Sequence, residues 1–201
     1  MTENGLVAVG DPLTVENLVR AYSHGIFPWP VEGQPMLWFC PDPRGVLDFA
    51  DLHIPRSLRK WAKQNADIQF TWNEAFDKVI EACSEQPRPG QDGTWILPEV
   101  IQGYRQLFSA GFVRSLEAWQ NGELIGGLYG VDVNGLFSAE SMFFRKPNVS
   151  KLCLWKMIET LQKEGRSWMD IQMVTPVSEQ LGGKYISRAD FLRRLDLSLR
   201  S

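Results

Sequence analysis

Two apolar stretches of this chain carry polar groups that plain strand packing does not explain. Residues 136–144 read Leu-Phe-Ser-Ala-Glu-Ser-Met-Phe-Phe, and residues 168–172 read Trp-Met-Asp-Ile-Gln. Glu140 and Asp170 therefore fall inside what should be buried strands, where an unpaired charge is costly. Strand alternation sets Asp170 and Gln172 on one face, with Met169 and Ile171 on the other. A carboxylate beside an amide is suited to holding a polar reactant and moving a proton, so this face is where chemistry is expected. The plainer alternative is that these groups cap strand ends or pair with arginines.

Other chemistries find no residues to carry them. The chain has two histidines, His24 and His53, and no HxxxH, GxSxG or phosphate-loop motif, which argues against metallohydrolase, serine hydrolase and NTPase readings. Cys40, Cys83 and Cys153 are odd in number, widely spaced and form no CxxC, so they read as buried or neutral thiols. No metal and no cofactor is expected.

A sheet is needed to hold the candidate groups, and its parts can be followed along the chain. A short apolar segment over residues 5–10 precedes Thr14, a candidate N-cap, after which Val15, Leu18, Val19 and Tyr22 recur at helical spacing until Gly25. Five prolines from Pro28 to Pro43 forbid a long regular element, so the aromatics there form either a lid over a sheet or a pocket wall. Beyond them the pattern predicts a strand over 46–49, a helix over 53–64, a strand over 68–72 and a helix capped by Asn73 to about residue 84. An exposed loop follows over 85–93, and Pro98 opens a helix reaching Ala110. Asn121-Gly122 and Asn134-Gly135 then mark two hairpin turns linking three antiparallel strands. Leu152, Trp155, Ile158 and Leu161 line one face of the next helix, Gly165 stops it, and a strand over 167–173 and a short helix over 187–195 complete the chain.

With 201 residues, 44% hydrophobic and 22% charged, the chain is long enough to bury a sizeable core. Its formal charge of −3, from 21 basic and 24 acidic residues, does not by itself announce a nucleic-acid binder. No run approaches a membrane span and no basic leader precedes an apolar one, so a cytoplasmic protein is expected. The fold class is α+β. A meander, a crossover helix and a further strand resemble the acetyltransferase-like (GNAT) sheet with flanking helices. A small N-terminal α/β domain would span 1–46 and a catalytic domain 47–201. The turn over 145–150 has no glycine, and Pro147 lacks an N–H, so a coenzyme A cradle is not expected there.

A more specific resemblance runs through the chain in order. Gly25-Ile26-Phe27-Pro28-Trp29, Leu37-Trp38 through Pro41-Asp42-Pro43-Arg44, Gly93-Thr94-Trp95-Ile96, Gly126-Gly127-Leu128-Tyr129-Gly130-Val131, Glu140-Ser141-Met142-Phe143 and Asp170-Ile171-Gln172 are similar to motifs of the leucyl/phenylalanyl-tRNA–protein transferases. Three positions depart from the family pattern: Arg114, Ile171 and Val177. The resemblance implies transfer of Leu, Phe or Met from aminoacyl-tRNA to the α-amine of proteins beginning with Arg or Lys, creating a signal for proteolysis. The competing readings are an acyl-CoA-dependent N-acyltransferase of the same fold, a member with altered donor or acceptor selectivity, and an RNA-binding module without catalysis.

On that resemblance, Asp170 holds and deprotonates the acceptor amine, Gln172 orients it or the ester carbonyl, and Glu140 meets the acceptor's basic side chain or supports the pair. Trp29, Trp95, Met142, Phe144 and Ile171 are the candidate donor pocket, with simple core packing as the alternative for each. Arg44, Arg56, Arg59, Lys60 and Lys63 concentrate positive charge in twenty residues holding two acids, Asp48 and Asp51, and form the candidate tRNA footprint. A solvated helix face would look similar. The protein is expected to act as a monomer.

Overall fold

Apolar runs separated by Asn-Gly turns organise the middle of the chain into a meander. In the computed structural model, which describes residues 5–87 and 94–198, β6 (Val113–Gln120), β7 (Glu123–Val133) and β8 (Leu136–Phe144) run antiparallel in series. Asn121, Gly122, Asn134 and Gly135 all take positive φ in the two turns, as tight hairpins require. β5 (Gln69–Trp72) pairs with β6; beyond β8 lie β9 (Trp168–Gln172), β4 (Arg44–Asp48) and β10 (Lys184–Ile186). The order among the described residues is β10-β4-β9-β8-β7-β6-β5. β8 and β9 are parallel, joined by the crossover helix α5 (Val149–Lys163).

Helices cover both faces of this sheet. On one face α1 (Val15–Ser23), α3 (Phe76–Glu85) and α4 (Pro98–Ser109) bury Leu18, Val79, Val100 and Leu107 against Val113, Tyr129 and Val131. On the other, α2 (Arg56–Gln64) and α5 bury Leu58, Leu152, Met157 and Leu161 against Leu116, Leu128 and Met169. Each such side chain contributes on the order of 1.5–3 kcal/mol. The short α6 (Pro176–Gln180) follows β9, and α7 (Arg188–Ser198) closes the sheet's far end, with Phe191 and Leu195 packed on Val46, Leu136 and Trp168.

The N-terminal segment differs from the irregular stretch that its prolines predict. β1 (Leu6–Val9), β3 (Leu37–Phe39) and β2 (Phe27–Pro28) form a small antiparallel sheet. The prolines keep β2 and β3 to two and three residues without abolishing them. Thr14 caps α1 as expected, accepting the Asn17 N–H at 3.2 Å. Asn73 caps no helix: it sits at φ 59°, and its Oδ1 accepts the Ser115 N–H at 2.7 Å, tying the end of β5 to β6. Of the predicted loop over 85–93, residues 88–93 lie outside the described residues. Cys40, Cys83 and Cys153 are buried thiols. Among the described residues no helix is long and apolar enough to cross a membrane.

Candidate active site

The site lies where two parallel strands part. β8 and β9 pair at one point, Ser138 opposite Asp170. Past it a cavity of about 470 Å³ opens, lined by both strands, by the first turns of α5 and by aromatics from the N-terminal segment. Each strand carries a bulge at this opening. Along β8, Ser141 faces Tyr129 and Ala139 faces Gly130, so Glu140 is the extra residue. Along β9, Gln172 faces Gly45 and Asp170 faces Val46, so Ile171 is the extra residue. The bulges bring consecutive residues onto one wall: Ala139, Glu140, Ser141 and Met142 all line the cavity, and so do Ile171 and Gln172.

Strand alternation therefore fails for Asp170 and Gln172, which do not share a face. Gln172 takes φ 51°, a left-handed conformation uncommon for a non-glycine residue. Its N–H donates to Asp170 Oδ1 at 3.0 Å, which pins that turn. Gly45 on the neighbouring strand permits it: a Cβ there would meet the Met173 backbone at 2.8 Å.

Asp170 sits behind the cavity wall, 1% exposed, with four donors on its carboxylate. Arg44 Nε reaches Oδ1 at 2.8 Å and Arg44 Nη2 reaches Oδ2 at 2.6 Å, a bidentate pair. Ser138 Oγ adds a bond to Oδ2 at 3.1 Å, and the Gln172 N–H is the fourth. This geometry leaves Asp170 no direct contact with an incoming amine; its influence on the cavity passes through Gln172. Arg44 departs further from its expected place in a tRNA footprint. It is 1% exposed, bonded through Nη1 to the Gly25 carbonyl at 2.9 Å, and held between the Phe27 and Phe191 rings at 4.7 and 4.4 Å. A guanidinium so enclosed cannot meet a tRNA phosphate. Burial opposes its charge, but the Asp170 carboxylate outweighs that and holds its pKa above the ordinary value.

Glu140 faces the cavity. Its Oε1 accepts the Gln172 Nε2 at 3.0 Å, and its Oε2 accepts the Tyr104 hydroxyl at 3.1 Å. Tyr104 is in turn 2.5 Å from the Tyr22 hydroxyl, so α1, α4 and β8 meet at one buried polar chain. Burial pushes the Glu140 carboxyl up to about 7; the nearby Asp170 charge adds to this, while Tyr22, Tyr104 and Arg44 pull the other way. Burial likewise raises both tyrosines. With its Nε2 given to Glu140, Gln172 keeps an amide oxygen that has no partner among the described residues.

The rest of the cavity is apolar. Trp29 stacks on Trp95, with centroids 5.4 Å apart and planes at 16°, and Met142, Phe144, Ile171, Leu128 and Leu154 complete the lining. Val177 also lines it, whereas Arg114 lies outside in an ion-pair group with Asp132 and Glu164. Arg56, Arg59, Lys60 and Lys63 are exposed on α2, which has no acid in its first turn. Arg59 is partly fixed there, 5.4 Å over the Trp155 ring of α5. Sequence reasoning missed Arg44 as the partner of Asp170, and Tyr22 and Tyr104 as the partners of Glu140. Tyr22 sits on the apolar face of α1, where periodicity marks it as ordinary core.

Comparison with known proteins adds an independent line. A family model described as leucyl/phenylalanyl-tRNA protein transferase matches residues 46–196, and a companion model for that family's N-terminal domain matches residues 11–42. A leucyl/phenylalanyl-tRNA–protein transferase of Azotobacter vinelandii is 45% identical over 198 residues, covering 96% of this chain and 87% of the relative. One of Shewanella pealeana is 47% identical over 192 residues, covering 96% and 80%. Among solved structures, a GCN5-related N-acetyltransferase-like protein from Streptococcus suis is similar at 13% identity and a TM-score of 0.43, covering 86% of this chain and 64% of that one.

Proposed function

The chain belongs to the leucyl/phenylalanyl-tRNA–protein transferase family, and from that premise we propose that the cavity between β8 and β9 joins an aminoacyl ester to a peptide amine. The donor is tRNA charged with Leu, Phe or Met, and the acceptor a protein beginning with Arg or Lys. The observation that carries this reading is a carboxyl pushed up to about 7 and an unpartnered amide oxygen facing one apolar cavity.

An aminoacyl ester is already activated, so its aminolysis needs no nucleophile from the protein. It needs the amine placed on the carbonyl, a proton taken from the ammonium and room for a tetrahedral oxyanion. The apolar wall of Trp29, Trp95 and Met142 takes the donor side chain. The Gln172 amide oxygen accepts from the incoming ammonium, and the Glu140 carboxylate beside it receives the proton. A C–N bond forms, the C–O bond to the terminal ribose breaks, and that ribose oxygen takes the second proton of the attacking nitrogen and leaves as a hydroxyl. Asp170 and Arg44 are positioning residues that hold Gln172 in its left-handed turn. Arg56, Arg59, Lys60 and Lys63 on α2 bind tRNA phosphates. An acetyltransferase-like sheet, a division into residues 1–46 and 47–201 with β4 shared between them, action as a monomer and a cytoplasmic setting belong to the same proposal.

The deciding assay mixes labelled Leu-tRNA or Phe-tRNA with a peptide starting in Lys or Arg. Label should move to that peptide and not to one starting in Asp. Label remaining on the tRNA would reject the reading.

A further inference from the structure

One wall of the cavity is unused by this chemistry. α5 is 15 residues long, and Ser150 and Leu154 in its first turns line the cavity. Its N-cap, Asn148, stands at φ 70° and makes no side-chain cap. The Val149 N–H bonds back to the Lys146 carbonyl at 3.3 Å, but those of Ser150 and Lys151 find no acceptor among the described residues. Ser150 is 5% exposed, and its hydroxyl also has no partner among the described residues, though it borders the cavity. No acid lies in the first turn, and Lys151 sits there with its ammonium 2.7 Å from Gln180 Oε1. Gly126 allows the helix to begin this close to β7, since a Cβ there would lie 2.4 Å from Val149.

A helix start of this kind favours an anion through its N–H groups and its dipole. Ser150 is a buried residue whose hydroxyl opens onto the cavity without a partner among the described residues, so it is free to donate to a ligand that accepts hydrogen bonds. We propose that the first turn of α5 binds one phosphate group, that on the 5′ side of the donor's terminal adenosine. The Ser150 and Lys151 N–H groups and the Ser150 hydroxyl donate to its oxygens, and the Lys151 ammonium swings from Gln180 to it. Two N–H groups, one hydroxyl and one ammonium suit one tetrahedral group. A pyrophosphate would need more, and Pro147 and the bonded Val149 N–H supply none. The inference rests on the aminoacyl-tRNA reading and deepens it, because it fixes the terminal nucleotide with its phosphate at α5 and its ester toward Gln172.

Calorimetry with two non-hydrolysable ligands tests it: 3′-leucylamido-3′-deoxyadenosine and the same compound bearing a 5′-phosphate. The phosphate should tighten binding on the order of ten-fold or more, as hydrogen bonds to a charged group allow. Ser150→Asp places a charge that a helix start favours, so the thermal transition should be kept while the ratio between the ligands falls to one or below. Ser150→Thr, which retains the hydroxyl, should keep part of the ratio. The triple variant Arg59→Ala, Lys60→Ala, Lys63→Ala should keep all of it. Equal affinities in the unaltered protein would overturn the phosphate site and leave the aminoacyl-tRNA reading standing. Failure of both ligands to bind would overturn both. A ratio lost in the triple variant and kept in Ser150→Asp would move the phosphate to α2 and likewise overturn the site.

Discussion

At the scale of single residues, Glu140 and Gln172 are poised at some cost to the fold. Glu140 has its carboxyl raised from 4.5 to about 7 in the folded chain. The folded state therefore holds a proton that the unfolded state has released, and stability should fall as pH rises from about 4.5 to about 7, then level off. The loss is roughly 3 kcal/mol as an upper bound, because the cavity admits water. Denaturant midpoints at pH 5 and pH 8 should show this slope, and Glu140→Gln should flatten it. The transfer rate should rise through the same window, and the variant should lose that limb. Gln172 holds φ 51°, which costs about 1–2 kcal/mol for a residue with a Cβ. Gln172→Gly should leave the melting temperature unchanged or higher while single-turnover transfer falls about 10²-fold or more. A Gly variant with normal transfer would remove the amide from the chemistry. Arg44→Met leaves the Asp170 carboxylate buried and unpaired, and should cost about 3–5 kcal/mol. Adding Asp170→Asn should recover over half of that stability without recovering transfer, because Gln172 still lacks its anchor.

Among the elements, the proposed reading gives α2 the tRNA body and the two diverging strands its reacting end. The buried side of α2 is Leu58, while Arg56, Arg59, Lys60 and Lys63 point into solvent. Each neutralised phosphate contributes about 0.7–0.9 to the slope of log K against log salt. Replacing Arg59, Lys60 and Lys63 by Ala should therefore flatten that slope by about 2–3 and weaken tRNA binding, with the fold retained. An unaltered slope would show a merely solvated face. The strands bear on donor choice only through the proposed pocket. If their apolar wall takes the donor side chain, it reads size and shape, and a methylene in such a pocket is worth roughly 1–3 kcal/mol. Competition assays should give Leu over Val by about 10- to 200-fold.

The molecule as a whole closes its site with parts far apart in the chain. Arg44 joins Gly25 and Phe27 from the N-terminal segment, Asp170 from β9 and Phe191 from α7. Tyr22 from α1 meets Tyr104 from α4 and Glu140 from β8. A ligand in the cavity thus touches walls from both ends of the sequence, and the protein should melt in one transition. At a hundred times its Kd, 3′-leucylamido-3′-deoxyadenosine adds about 2.7 kcal/mol, enough to raise that transition by roughly 5–10 °C. Two transitions, of which one alone moved, would show that the N-terminal segment folds apart from the main sheet.

The sequence by itself determined the meander, the crossover helix and the order of the elements, because hydrophobic period and Asn-Gly turns are local signals. It also marked Glu140, Asp170 and Gln172, since polar groups inside apolar runs need a reason wherever they end up. Which of them faces the cavity was decided by tertiary structure alone. Bulges at Glu140 and Ile171 depend on the partner strands, and a one-residue slip re-aims every side chain after it. Arg44 reads as one more cation in a basic stretch until Asp170, 126 positions away, claims it. Phe27 and Phe191 then enclose it, and neither ring is near it in the chain. Charge is written in the sequence, whereas burial and partnership follow from which distant segments pack together.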